Sequence, residues 1–171
     1  MSSPSTSGHE PDLEDPFMHG PEIEIGLAAL IPEDYMPDVH MRLVHYKRIA
    51  HCRSGLELDS LQIELIDRFG LLPPPLKTLF AITALKLLAG QLGLAKIQAG
   101  AESGSITFAE RSRVDPARLL KLIQSDSKRY RLDGPYKLRF SWTLEAPEKR
   151  IGALDKLLKR LGAEETAAAA A

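Results

Sequence analysis

Residues 73–110 read PPPLKTLFAITALKLLAGQLGLAKIQAGAESGSITFAE, and within them the hydrophobic period changes once. Pro73-Pro74-Pro75 breaks the chain and then opens a helix, because proline suits a first helical turn that has no amide partners to lose. Leu76, Leu79, Phe80, Ile82, Leu85, Leu87 and Leu88 leave that helix almost no polar side, so it reads as a buried central helix running to about Leu92-Gly93. Beyond Gly93 the period is two. Leu94 to Ala99 and Ser105 to Glu110 read as short strands, joined by the glycine-bounded loop Gly100-Ala101-Glu102-Ser103-Gly104. Ile97, Ile106 and Phe108 are their expected inward residues.

Upstream of that stretch the pattern is helical from Asp38. Asp38 can cap a helix striped by Val39, Leu43, Tyr46 and Ile49 that ends near Ser54-Gly55. A second helix follows from about Glu57 to Phe69, with Leu58, Leu61, Leu65 and Phe69 inward and Gly70 as its stop. Before both, Glu22-Ile23-Glu24-Ile25 alternates as an edge strand would. Residues 1–21 are rich in Ser, Pro and acid without either period, so they read as a disordered leader or linker.

Downstream, Val114-Asp115-Pro116 is a dense helix-start signal, and the helix it opens fades at Ser125-Asp126. A second hairpin is expected from Arg129 to Leu132 and from Tyr136 to Trp142, turning at Asp133-Gly134-Pro135. Tyr136, Leu138, Phe140 and Trp142 should share its inner face, with Lys137, Arg139 and Ser141 on the other. Pro147 opens a last helix carrying Ile151, Leu154, Leu157, Leu158 and Leu161, which Gly162 stops. The order is three helices, then hairpin, helix, hairpin, helix. That predicts an α+β domain over 22–162 with a small, mainly antiparallel sheet, followed by a flexible tail over 163–171.

The 171 residues are 44% hydrophobic and 26% charged, an ordinary balance for a globular domain. No apolar run reaches the ~20 residues that span a bilayer, and the start lacks a signal-peptide pattern. With one cysteine there is no internal disulfide and no multi-thiolate zinc site. A cytoplasmic address with no membrane partner is the expectation. The net charge of −1 conceals a polarity: residues 1–110 carry 8 basic and 15 acidic side chains, while 111–161 carry 14 basic and 6 acidic. Such a division suits charge-steered docking.

Motifs for catalysis are missing. A phosphate-cradling P-loop needs G-x-x-x-x-G-K-[ST] between strand and helix, and Gly90-Gln91-Leu92-Gly93-Leu94-Ala95-Lys96 has neither that spacing nor the hydroxyl. His40 and His45 are five apart, and His51 and Cys52 are adjacent, so neither pair converges on a helix face. We expect surface histidines and a half-buried thiol. Ser60, Glu64 and Asp67 fall on one side of the second helix, opposite its leucines, a pattern suited to arginines on a partner. Arg111, Arg113, Lys121, Lys128, Arg129, Arg131, Lys137 and Arg139, with aromatics between them, make a second reading: a stand-alone nucleic-acid-binding module using the basic 111–142 region.

Two strings are more specific than any of these patterns. They are Ile31-Pro32-Glu33-Asp34-Tyr35-Met36-Pro37-Asp38-Val39 leading into Arg42-Leu43-Val44-His45-Tyr46-Lys47-Arg48-Ile49-Ala50, and Glu64-Leu65-Ile66-Asp67-Arg68-Phe69-Gly70-Leu71-Leu72-Pro73. With Tyr130-Arg131-Leu132-Asp133-Gly134-Pro135, they closely resemble the C-terminal domain of the bacterial transcription-repair coupling factor family (Mfd, TRCF). The resemblance runs from about Glu22 to Leu161. It implies a regulatory, autoinhibitory domain, not an enzyme in itself. The full-length family protein is an ATP-dependent, Mg-using DNA translocase that displaces stalled RNA polymerase and recruits UvrA for nucleotide excision repair. No cofactor is expected in this chain, and DNA would be held by motor domains outside it. The expected partner is the UvrA-binding module of the same protein, contacted through Glu64 and Asp67, with Arg68 beside them. UvrA and RNA polymerase follow as indirect partners.

Overall fold

The structure, a computed structural model, describes residues 20–162. The leader reading over residues 1–19 and the tail reading over 163–171 fall outside the described residues. The described elements are β1 (Glu22–Glu24), α1 (Val39–His51), α2 (Gly55–Phe69), α3 (Pro74–Leu92), β2 (Leu94–Ala99), β3 (Ser103–Phe108), α4 (Pro116–Ser125), β4 (Tyr130–Leu132), β5 (Lys137–Ser141) and α5 (Pro147–Leu161). This is the α+β arrangement expected from the sequence.

Local chemistry accounts for the helix starts. Asp38 accepts from the amides of His40 at 2.8 Å and Met41 at 3.2 Å, and Asp115 accepts from Ala117 at 2.9 Å. Ser54 accepts from Glu57 at 3.2 Å, while the Glu57 carboxylate reaches back to the Arg53 amide, a reciprocal pair close to a capping box. Gly93 ends α3 with φ +71°, and a Cβ there would lie 2.8 Å from Ser112 Cα and 2.9 Å from the Arg111 carbonyl. Handedness and space both demand glycine at that turn.

The sheet runs β1-β2-β3-β5-β4. Both hairpin-linked pairs and the β3/β5 pair are antiparallel, and β1 joins the β2 edge in parallel, with Ile23 opposite Ile97. Register makes two unlike faces. One row crosses the sheet as Ile23, Ile97, Ile106, Leu138 and Leu132, and a parallel row holds Ala99, Gly104, Phe140 and Tyr130. These rows face α3, α4 and α5. The opposite side presents polar residues.

Two hydrophobic clusters form, not one. Leu85, Ala89 and Leu92 of α3 pack with the sheet and with Leu154, Leu158 and Leu161 of α5. Leu76 and Phe80, one end of the same helix, pack instead with Ile49, Leu58, Leu61 and Leu65. Helix α3 is apolar all round because it serves both clusters from different sides.

Three expectations need correction. Val39 and Leu43 do not line the inward side of α1: they are 59% and 55% exposed, and its buried residues are His45 and Ile49. Helix α1 carries apolar residues on two sides, and packing against α3 and Phe69 chose the side bearing His45. Tyr136 is 54% exposed because it precedes the first paired residue of β5, whereas Leu138 and Phe140 are buried as expected. The surface assignment fails for His45, which is 1% exposed, although His40 and His51 do face outward.

Candidate protein interface on the second helix

Helix α2 turns Leu58, Leu61 and Leu65 inward. The side expected to be polar bears more than Ser60, Glu64 and Asp67. Leu56 is 79% exposed, Ile63 61%, and Leu71, just past the helix end, 84%. Leu56, Ser60, Ile63 and Asp67 follow one another at helical spacing, so large apolar groups and a free-standing acid share one stripe. Exposed aliphatic residues gathered beside charge mark a contact surface better than scattered ones do. The signal was present in the sequence: Leu56 and Ile63 fall among the polar positions.

Glu64 is not a loose carboxylate. Arg48 of α1 grips it from both sides, Nη1 to Oε2 at 2.6 Å and Nη2 to Oε1 at 2.8 Å, with Arg68 Nη1 at 3.5 Å from Oε2. Hydrogen bonds from Arg48, its charge, and smaller contributions from Arg68 hold the Glu64 carboxyl down at about 2. The same partnership pushes the Arg48 guanidinium above its ordinary value. Arg48 was not singled out from the sequence, since it is 16 residues from Glu64 on a separate helix.

Arg68 also lies over the Phe69 ring, 5.1 Å from its centroid. Phe69 in turn meets Tyr35 at 5.9 Å and His45 edge-on at 5.8 Å. The Tyr35 hydroxyl donates at 2.7 Å to the carbonyl of Gly70, which fixes the end of α2. The three expected site residues thus occupy one side of one helix, and they differ in state. Glu64 is clamped, Arg68 is laid across a ring, and Asp67 is exposed.

An open cleft of about 520 Å³ between α1 and α2 is lined by Arg48, His51, Cys52, Glu57 and Glu64. Burial, assisted by Glu57, pushes the Cys52 thiol up, away from the reactive thiolate. Among the described residues no group of three His, Cys, Asp or Glu could hold a metal. At Gly93, before Lys96, backbone from Arg111 to Arg113 comes within 3.2 Å of where a Cβ would stand, so this turn is packed against its own chain. Among the described residues no helix is long and apolar enough to cross a membrane.

The model of the TRCF domain family matches residues 25–119. A transcription-repair-coupling factor from Escherichia coli K12 is 42% identical over 155 residues, and one from Haemophilus influenzae is 44% identical over 156. Each alignment takes in 91% of this chain and 14% of the relative, so the chain spans about one seventh of these relatives' length. A crystal structure of the C-terminal domain of transcription-repair coupling factor superposes with a TM-score of 0.70 at 21% identity, covering 83% of this chain and 94% of that one. That last likeness is one of fold. With the family model matching 25–119 of its 171 residues, this chain belongs to the TRCF domain family.

Proposed function

We propose that the chain is the regulatory C-terminal domain of a transcription-repair coupling factor, and that it acts by covering a neighbouring module. In this reading the whole protein is a cytoplasmic, ATP-driven DNA translocase that displaces stalled RNA polymerase and recruits UvrA to damaged DNA for nucleotide excision repair. ATP and magnesium belong to motor domains outside this chain. Docked on the UvrA-binding module, the domain competes with UvrA and restrains the motor. Polymerase engagement favours the undocked state. Such a switch requires only that the two states differ in what they bind.

The observation that carries this reading is the α2 stripe, where exposed Leu56, Ile63 and Leu71 accompany an exposed Asp67. Aliphatic side chains supply area to bury, and the carboxylate supplies register and encounter rate more than affinity. The Glu64 contact is more particular. Both of its oxygens are occupied by Arg48, so a partner arginine would share an existing cluster of charge and not meet a bare acid. Asp67 is the carboxylate freer to pair, and Arg68 can turn to a partner acid by giving up its long contact with Glu64.

The test is a calorimetric titration of this chain into the UvrA-binding module of a coupling factor. Asp67→Lys should weaken docking at least tenfold with an unchanged circular dichroism spectrum. Leu56→Ser with Ile63→Ser should weaken it independently. If all three substitutions leave the affinity as it was, the interface lies elsewhere.

A further inference from the structure

The side of the sheet turned away from the helices has its own chemistry. Register lines up Glu24, Gln98, Ser105, Arg139 and Arg131 in one row, and Glu22, Lys96, Thr107 and Lys137 in the next, with Ser103 opposite Ser141. At the β1 edge the acids are neutralised locally: Lys96 lies 3.8 Å from Glu22 and 3.6 Å from Glu24, and Gln98 donates to Glu24 at 2.9 Å. The other edge is basic. Arg131 and Arg139 stand directly opposite each other on β4 and β5, an arrangement that like charges disfavour. One carboxylate, Asp133, serves this corner, 2.6 Å from Arg139 Nε and close enough to feel Lys137 and Arg131.

We propose that this cationic half of the open sheet face, Arg131, Lys137 and Arg139 with Thr107 and Ser141 beside them, is a docking strip for the phosphate backbone of double-stranded DNA. The inventory favours phosphate. Cations with serine and threonine hydroxyls are the groups that contact phosphate and sugar. An acidic protein partner would need an apolar or aromatic anchor, and these rows contain none. A single strand would need rings on which to stack bases, but Tyr130 and Phe140 face the core, where both are buried, and the exposed Tyr136 alternates with Lys137 and so lies off the strip. The strip therefore reads no sequence. It goes beyond the docking role of α2 and uses none of its residues.

A plainer role for these charges exists, since β4 is an edge strand and charge on an edge blocks unwanted strand pairing. Either sign of charge serves that purpose. Only positive charge serves DNA, and this difference makes the test.

The full 171-residue chain is titrated against a fluorescent 20-base-pair duplex, with anisotropy as the readout. Three phosphate contacts predict a logarithmic salt slope of roughly −2.7, a loss of about forty-fold in affinity between 50 and 200 mM salt. Arg131→Glu with Lys137→Glu should lower affinity at least tenfold and flatten the slope, while the variant stays folded because its edge remains charged. Asp133→Asn, which removes the competing carboxylate, should tighten binding several-fold, an effect that misfolding cannot imitate. Overturning results are no salt-dependent binding, equal binding by the double reversal, tighter binding to single-stranded DNA of the same length, or preferential capture of poly-glutamate.

Discussion

Arg48 and Glu64 close a two-pronged ion pair between α1 and α2, with contacts of 2.6 and 2.8 Å. It joins helices that also meet through His45 against Phe69 and through Ile49 among the α2 leucines, and it orders the acid side of the candidate interface. Its pH signature follows from sign. The folded Glu64 carboxyl is held at about 2 against an ordinary 4.5, so its contribution to stability is complete above about 4.5 and disappears as the pH falls through about 2. A carbon-detected NMR titration of the folded chain should place the Glu64 midpoint near the lower value. Arg48→Ala should return it towards the ordinary carboxylate range, and an unmoved midpoint would mean that the clamp does not form in solution.

His45 is a second testable point. Its Nδ1 faces the Met41 carbonyl at 2.9 Å, and because a carbonyl only accepts, that nitrogen is the donor. Nε2 is buried with no hydrogen-bond partner. His45→Phe removes the stranded atom and keeps a ring against Phe69, so it should stabilise the fold by about 1 kcal/mol in urea denaturation. Destabilisation of that size or more would mean that the Met41 bond, or a water on Nε2, outweighs the orphan.

Backbone crowding supplies a third pair of outcomes. Gly93→Ala combines a left-handed φ of +71° with Cβ contact against fixed backbone at Ser112, so it should cost upwards of about 2 kcal/mol. Gly104→Ala would drive a methyl into the Gln98 carbonyl and into the Phe140 ring at 2.5 Å. The ring can give way a little and the strand cannot. Thermal melts should therefore show both substitutions as strongly destabilising, and Gly134→Ala, with open space around its Cβ, as the milder control.

Arg150 predicts how the segment after β1 is held. Although buried, it donates from Nη1 to the Ile25 carbonyl at 3.0 Å and from Nε to the Leu144 carbonyl at 3.3 Å. Arg150→Met keeps most of the volume and leaves both carbonyls unsatisfied, at a cost of about 1–3 kcal/mol. Hydrogen exchange should quicken at β1 and its pairing with β2 before it quickens at the β3/β5 pair. Uniform acceleration would remove the tethering role.

How much was legible beforehand follows from the range of each interaction. Caps at Asp38 and Asp115, the stop at Gly93 and the turn at Asp133-Gly134 are local, so a few adjacent residues announce them. The single inward side of α5 is equally plain, and its leucines are buried as read. Helix α1 carries two apolar sides, and nothing within its 13 residues says which one a neighbour will cover. Its arginine clamp was invisible for the same reason. The α2 positions Glu64, Asp67 and Arg68 are expectations of spacing and resemblance together, whereas exposed Leu56 and Ile63 beside them take on meaning only with burial known.

Periodicity, capping and turn chemistry by themselves settled the element order and the α+β class, because each depends on residues a few positions apart, and composition alone gave the polarity between an acidic first part and a basic last part. Only tertiary packing decided that α3 would feed two separate cores, that β1 would return to pair in parallel with β2, and that Glu64 would spend its charge on Arg48. Those outcomes depend on which surfaces meet across tens of residues. Shape and desolvation choose among partners there, and no local pattern encodes that choice.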